Sequence, residues 1–343
     1  MAKKSYLGVD IGAAGVKVVE LSEAKGRPLL ETYGFSERNP DEYGANLLDS
    51  PKETASLLKD ILKRAGTRTT KAVAGLPVAS IFSSVITVPV LAGKELAAAI
   101  EAQAKKFINL PSGEVVLDWK QLPTAEAKPK ALQIFVTGAP KTLVQKYVDI
   151  FKLTGLELVS LETEAFALIR SLIGKDRSVI LILDIGAVRT NLMLVEAGIP
   201  LLSRSLNVGG LAITQTLAGQ LGVTPAEAEQ MKSDAVGAPS NEQSVPKVVA
   251  DFFAPVVQEV KYLSDLYVKD EKNAGKLVEK MVVTGGSALI PNVAAHLAGV
   301  LGMKVFLGDP WARVLTPEPL SPVLASIGAR FSVAAGLAMR ELE

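Results

Sequence analysis

Asp10-Ile11-Gly12-Ala13-Ala14-Gly15-Val16-Lys17 returns in altered form as Asp184-Ile185-Gly186-Ala187-Val188-Arg189-Thr190-Asn191. Each copy follows an apolar strand, Tyr6-Leu7-Gly8-Val9 or Val179-Ile180-Leu181-Ile182-Leu183, and each leads into a second one, Val16 to Leu21 or Asn191 to Val195. A strand that ends on an aspartate and a glycine turn sets a carboxylate beside backbone N–H groups able to cradle an anion. Glycine suits such a turn because it accepts positive φ and lets another backbone come close. A single copy reads as an ordinary hairpin. Two copies predict equivalent hairpins facing each other across a cleft, the outline of a two-lobed nucleotide site.

The candidate phosphate site is therefore Asp10, Gly12, Ala13, Ala14, Gly15 and Lys17 from the first copy, with Asp184, Gly186 and Ala187 from the second. Asp10 and Asp184 are the candidate metal ligands, acting most economically through water because Mg²⁺ dehydrates reluctantly. Lys17 offers a counter-charge to phosphate. A third element, Val283-Thr284-Gly285-Gly286-Ser287 before a helix, lets Gly285, Gly286 and Ser287 lie flat against a base or ribose. Gly-Gly alone is weak evidence and gains weight from its order after the two aspartate turns.

The bulk of the chain narrows the function classes. Its 343 residues exceed one typical domain. A net charge of +1, with 48% hydrophobic and 21% charged residues, describes a packed globular protein with no polyelectrolyte signal for nucleic acid. There is no cysteine, which excludes disulfides and thiolate metal sites and fits a reducing cytosol. Asp10 interrupts the start of the chain before any signal-peptide stretch, and no run of about 18 apolar residues predicts a membrane span.

Along the chain the pattern predicts an α/β fold. A hairpin (5–21), a strand (29–35), a helix (52–65) and strands at 71–77 and 81–88 make a first lobe. Between 89 and 155 a helix (94–107), strands at 115–122 and 131–138 across a polar connector (123–130), and a helix (140–153) read as an inserted subdomain. A strand (156–160), a helix (162–173) and then the second repeat follow. Gly209 and Gly210 open a helix to 221 and are further candidate nucleotide-binding residues. Thr224-Pro225-Ala226-Glu227 is a helix start with proline at its first position. A polar loop (234–246) precedes a long helix (247–268) with a Val256, Val260, Leu263 and Tyr267 stripe. A helix at 292–301, a strand at 305–307 and a small-residue helix over 321–339 end the chain. The expected partition is 1–88, 156–177 and 320–343 for the first lobe, 89–155 for the insert, 178–222 and 279–319 for the second lobe, and 223–278 for its subdomain.

Two aspartate turns and a Gly-Gly-Ser turn in this order resemble the actin/Hsp70/sugar-kinase superfamily, and the resemblance covers the whole chain. It implies an actin-like two-lobed ATPase fold holding ATP and Mg²⁺. Leu161-Glu162-Thr163-Glu164-Ala165-Phe166-Ala167 resembles the first connecting helix, where some members carry a Glu that positions the attacking water. Counting from the Ala-x-Ala, that catalytic residue is Glu162, with Glu164 as the alternative. Ala228-Glu229-Gln230-Met231-Lys232 resembles a segment whose Glu and Lys, here Glu229 and Lys232, approach ribose and adenine.

Within the superfamily the insert sits where FtsA-like proteins carry theirs. Residues 10–21, the Asn207-Val208-Gly209-Gly210 turn with Thr214, and the length most resemble the PilM family of type IV pilus assembly. That resemblance implies a cytoplasmic ATP-binding scaffold, peripheral at the inner membrane through a partner. The partner is the N-terminal cytoplasmic peptide of a bitopic PilN-like inner-membrane protein, held beside the insert. It leaves room for pilus motor ATPases as further partners and for self-association. The ending Arg340-Glu341-Leu342-Glu343 lacks the amphipathic helix of FtsA, so membrane association is expected to be indirect. The competing readings are a filament-forming protein like FtsA or MreB and a small-molecule kinase of the same superfamily, although no additional catalytic Asp motif stands out.

The second turn departs from the pattern. Ala187, Val188, Arg189 and Asn191 stand where FtsA-like turns have Gly, Gly, Thr and Asp. A valine needing positive φ would be strained, so a wider turn is expected. Arg189 either reaches phosphate or is a surface side chain. ATP binding with at most slow hydrolysis is the expectation. His296, the single histidine, reads as structural, and Trp119 and Trp311 as packing residues.

Overall fold

The computed structural model describes residues 4–108, 111–123, 130–237, 245 and 247–342. Parts of two expected features, the connector at 123–130 and the loop at 234–246, lie outside the described residues.

Two five-stranded sheets repeat one topology. In the first, β1 (Ser5–Gly12), β2 (Gly15–Ala24) and β3 (Arg27–Phe35) form an antiparallel meander, and β4 (Lys71–Leu76) and β8 (Glu157–Thr163) add in parallel beyond β1. In the second, β9 (Val179–Ile185), β10 (Thr190–Glu196) and β11 (Ile199–Leu206) make the meander, and β12 (Lys280–Thr284) and β13 (Lys304–Leu307) add in parallel beyond β9. The central strands β1 and β9 are covered on both faces. That is why they read as continuous apolar runs without alternation.

Helices cover the outer faces. On the first sheet, α1 (Pro51–Ala65) packs against α3 (Lys141–Thr154) around Leu58, Ile61, Tyr147 and Phe151. Proline opens α1 and Gly66, left-handed, closes it. On the second sheet, α5 (Gly210–Leu221), α6 (Pro225–Gly237), α7 (Lys247–Lys269) and α8 (Val293–Leu301) follow in order. The expected stripe of α7 is buried at all four positions. The start of α6 is a reciprocal capping box: Thr224 N–H donates to Glu227 Oε2 at 2.8 Å and Glu227 N–H to Thr224 Oγ1 at 3.2 Å.

Between the two sheets lie α4 (Glu164–Leu168) and α10 (Ser332–Met339). Ala165, Ala167, Leu168, Val333 and Leu337 pack there against Val73 of the first sheet and Ile180, Ile182 and Val282 of the second. The small residues of α10 follow from this crowding. A Cβ on Gly336 would stand 1.9 Å from the Ala167 carbonyl oxygen, and one on Gly8 1.9 Å from that of Ala334. The stretch Glu318–Met339 is long and apolar enough by composition to cross a membrane, yet 67% of its window is buried inside the protein. It is a core element here, and it is broken rather than continuous: α9 (Ser321–Ile327), a 3₁₀ turn (Gly328–Phe331) and α10 replace the single expected helix.

The insert also differs from its expected bounds. β5 (Phe82–Pro89), read as part of the first lobe, pairs with β7 (Ala131–Pro140), which pairs with β6 (Val115–Gln121) in a separate three-stranded sheet. Its apolar face, with Ile86, Val88, Leu132 and Ile134, packs on Leu96 and Ile100 of α2 (Gly93–Ala104). α3, read as the insert's last helix, returns to the first sheet because Tyr147, Ile150 and Phe151 complete that core. Trp119 lies on edge strand β6 and is 40% exposed, so it is no core residue. Trp311 is buried and its indole N–H donates to the Leu324 carbonyl at 3.0 Å. His296 sits on α8 beside Phe253, ring centroids 6.2 Å apart.

Candidate functional site: the cleft between the sheets

The two hairpins point their turns into one cavity of about 640 Å³, the size of a small-ligand pocket. Its walls include Asp10, Gly12, Ala13, Ala14 and Lys17 from the first turn, and Asp184, Gly186 and Ala187 from the second. Glu229, Lys232, Gly285, Gly286 and Ser287 complete the set of expected residues that meet there. Gly15, Gly209, Gly210 and Glu162 do not line it, though the three glycines shape the wall behind it.

The turns are built differently. In the first, Gly12 pairs with Gly15 across the two residues Ala13 and Ala14. Gly15 has φ +139°, and a Cβ on it would stand 2.2 Å from the Ser36 carbonyl oxygen, so glycine is required. In the second, Ile185 pairs with Thr190 and the four residues 186–189 form the loop, closed by Gly186 N–H to the Arg189 carbonyl at 2.9 Å. The wider loop relieves the expected strain: Ala187, Val188 and Arg189 all keep negative φ. Gly285 has φ +89°, and a Cβ there would meet the Ile185 carbonyl oxygen at 2.4 Å and Asp184 Oδ1 at 2.6 Å. The Gly-Gly-Ser turn thus lies directly against the second aspartate.

Electrostatically the cleft is acidic at its centre. Lys17 Nζ stands 3.4 Å from Asp10 Oδ2. Burial, then the Asp10 charge, pushes Asp184 up to about 6, opposed by Lys17 and by a hydrogen bond from Asn191. The β9–β10 register places Asn191 opposite Asp184. The amide therefore keeps a polar partner at the position where the sequence comparison expected one to be lost. Its Oδ1 is buried without a hydrogen-bond partner. Arg189 is exposed but borders the cavity.

The expected catalytic residue is corrected by the fold. Strand β8 runs through Thr163, so Glu162 ends a strand rather than opening a helix. Its carboxylate is held by Arg170, with both guanidinium contacts at 2.8 Å, and does not line the cleft. Strand geometry would put Glu162 and Glu164 on one face, but the chain turns helical at Glu164, which sends that side chain to the cavity and leaves Glu162 with Arg170. Glu164, the alternative, lines the cavity. It accepts the Val78 N–H at 3.1 Å and is pushed up to about 8 by burial, then by Asp10 and Asp184.

At the other end of the cavity, Lys232 Nζ donates to Glu229 Oε2 at 2.6 Å, Thr214 Oγ1 at 2.9 Å and the Gly210 carbonyl at 3.2 Å. Thr214 also donates to Glu229. Burial pulls Lys232 down from the usual lysine range, while Glu229 opposes the shift. Gly210 admits no side chain, since a Cβ would stand 2.1 Å from Ser287 Oγ. Sequence reasoning missed Tyr43, Ser80, Asn191 as a cleft residue, and Arg330. Tyr43, Ser80 and Arg330 lie outside the aspartate and Gly-Gly-Ser motifs and only the fold brings them to the wall, whereas Asn191 belongs to the second motif and faces Asp184 across its hairpin.

With this geometry in view, comparison with known proteins is specific. The structure is similar to that of the "PilM-PilN type IV pilus biogenesis complex", with a TM-score of 0.84, 26% identity and coverage of 98% of both chains. It shares its fold with the ethanolamine utilization protein EutJ from Carboxydothermus hydrogenoformans (TM-score 0.53, 16% identity, 98% of this chain and 90% of that one). It also shares it with MreB 5 of Spiroplasma citri bound to AMPPNP (TM-score 0.52, 16% identity, 97% and 94%). These actin-like relatives establish the two-lobed fold. Residues 8–342 match the family described as type IV pilus assembly protein PilM, and the chain belongs to that family.

Proposed function

We propose that this chain is a nucleotide-binding scaffold of type IV pilus assembly. It holds ATP with Mg²⁺ in the cleft and, at its inserted subdomain, the N-terminal cytoplasmic peptide of a PilN-like inner-membrane protein. The observation that carries the nucleotide reading is the placement of Asp10 and Asp184 on equivalent strands of two duplicated sheets, facing one cavity with the Gly285–Gly286 backbone. The solved PilM–PilN complex supports the peptide partner. Such a tether keeps the chain in the cytoplasm and peripheral at the inner membrane.

The donor set fits a hydrated ion. Among the described residues no group of three or more acidic or histidine side chains is placed to hold a metal. Asp10 and Asp184 with the unpartnered Asn191 Oδ1 would instead grip water ligands of Mg²⁺, which keeps them readily. When bound, the ion would offset the charge of the triphosphate. The chain's own part is to orient it: Lys17 and the turn backbone toward phosphate, and Glu229, Lys232 and Gly285–Ser287 toward the nucleoside. Glu164, held by Val78, is the cleft carboxylate best placed to orient a water. The protonated form favoured by its surroundings makes it a poor base, in keeping with slow turnover.

A pull-down on the N-terminal peptide of a PilN-like protein, with ATP-loaded and nucleotide-free chain, tests the assignment. Retention that changes with nucleotide is expected. No retention in either form refutes the scaffold reading.

A further inference from the structure

The segment after β3 does more than connect. Its start is fastened to the first phosphate turn: Ser36 N–H donates to the Val16 carbonyl at 2.9 Å, Val16 N–H to Ser36 Oγ at 3.0 Å, and Arg38 N–H to the Ala14 carbonyl at 3.1 Å. The Arg38 side chain, 12% exposed, donates from Nη1 to the Ala13 carbonyl at 2.8 Å and to the Ala45 carbonyl at 3.0 Å. One guanidinium therefore pins the phosphate turn and the far end of the segment together. Glu37 accepts from Arg330 Nη2 at 2.7 Å, which ties the segment to the 3₁₀ turn beside Gly285.

The middle of the segment crosses the cleft. A short turn, Pro40–Glu42, is capped by the Asn39 side chain and packs against α6, which belongs to the other sheet's side of the molecule. Tyr43 follows it, lines the cavity and is only 8% exposed. Its hydroxyl is raised to about 12, mainly by burial and next by the charge of Glu229 on α6. The segment is anchored again where Asn46 accepts the Leu48 N–H at 3.1 Å and Thr54 donates to the Leu47 carbonyl at 2.6 Å.

We propose that residues 36–46 are a strap that closes the cleft over a bound nucleotide, with Tyr43 covering the ligand and Arg38 locking the strap to the first phosphate turn. The inference rests on the nucleotide reading of the cleft. It assigns a binding residue, Tyr43, and a positioning residue, Arg38, outside every glycine motif. It also gives the two sides of the cleft a direct link that a ligand must break to leave. Moving the strap moves Ala13 and Ala14, because their carbonyls are its anchors.

The test is stopped-flow release of a fluorescent ATP analogue, mant-ATP with Mg²⁺, chased by excess ATP. Tyr43→Ala and Arg38→Ala are expected to release the analogue about tenfold faster or more, with association within about twofold of wild type, since closure acts on escape. The double variant is expected to match the faster single, because both residues act through one strap. Folded variants with wild-type release refute the strap alone. A wild-type chain that takes up no analogue refutes the nucleotide reading and removes the strap's ligand with it. Where Arg38→Ala does not fold, hydrogen exchange in the wild type decides: slower exchange at 36–46 on adding Mg·ATP is expected, and unchanged exchange refutes the strap.

Discussion

Replacing Glu164 by Gln should stabilise the nucleotide-free chain at alkaline pH. The carboxyl is moved from 4.5 to about 8 by burial and by Asp10 and Asp184, so the folded state binds a proton that the unfolded state has released. A group of this kind gives its full stability below the unfolded value and loses it as pH rises through the folded one; the window runs from about 4.5 to about 8. A displacement of that size corresponds to about 5 kcal/mol at most. Relaxation around a buried carboxylate offsets part of this, so about 2 kcal/mol is the expected penalty for keeping Glu164 ionised. Glutamine keeps an acceptor for the Val78 N–H and carries no charge.

With an unfolding entropy of roughly 2.1 cal/mol/K per residue, 343 residues give about 720 cal/mol/K, and 2 kcal/mol becomes about 3 °C in Tm. Differential scanning fluorimetry from pH 6 to 9 without nucleotide is the assay. Wild type should lose Tm as pH rises, and Glu164→Gln should lose less, with the gap widest near pH 9. Parallel curves would show that the cleft carboxylates do not repel one another as the fold places them.

Other perturbations read other parts of the structure. Arg170→Ala strips Glu162 of its bidentate partner, and should cost about 3 kcal/mol in denaturant melts, recovered in part by adding Glu162→Ala. Glu162→Gln should leave the rate of ATP turnover untouched while Glu164→Gln changes it; a selective loss with Glu162→Gln would restore the catalytic role read from the sequence. Asn191→Asp replaces the donor to Asp184 with a like charge, and should lower stability at pH 7.5 by about 1–2 kcal/mol, measured by urea melts. Gly336→Val drives a side chain into the Ala167 carbonyl, and should cost about 3 kcal/mol or yield no soluble protein, since α10 has no room to shift between two sheets.

Much of the fold was written locally. Strand apolarity, the helix start at Thr224-Pro225 and the α7 stripe each depend on neighbours within a few residues, and each formed where expected. The duplicated aspartate turns likewise announced two hairpins. Positions that depend on register were not legible in the same way. Glu162 lies within β8 and Glu164 opens α4, and the change of element between them puts Glu164 rather than Glu162 at the cleft. The assignment of β5 to the insert depended on its antiparallel partner β7, where Phe82 meets Gly138 and Pro89 meets Ala131, a pairing no local pattern encodes.

The sequence alone thus determined the two-lobed architecture, because repeated short motifs carry their own backbone chemistry. The tertiary structure decided what fills the gaps between those motifs. Four residues rather than two closed the second turn, and its strain disappeared. Tyr43 and Arg330 reached the cleft wall only because distant elements were packed together. Glu164 acquired its unusual proton affinity from burial beside two other carboxylates, a property of assembled space and of no segment by itself.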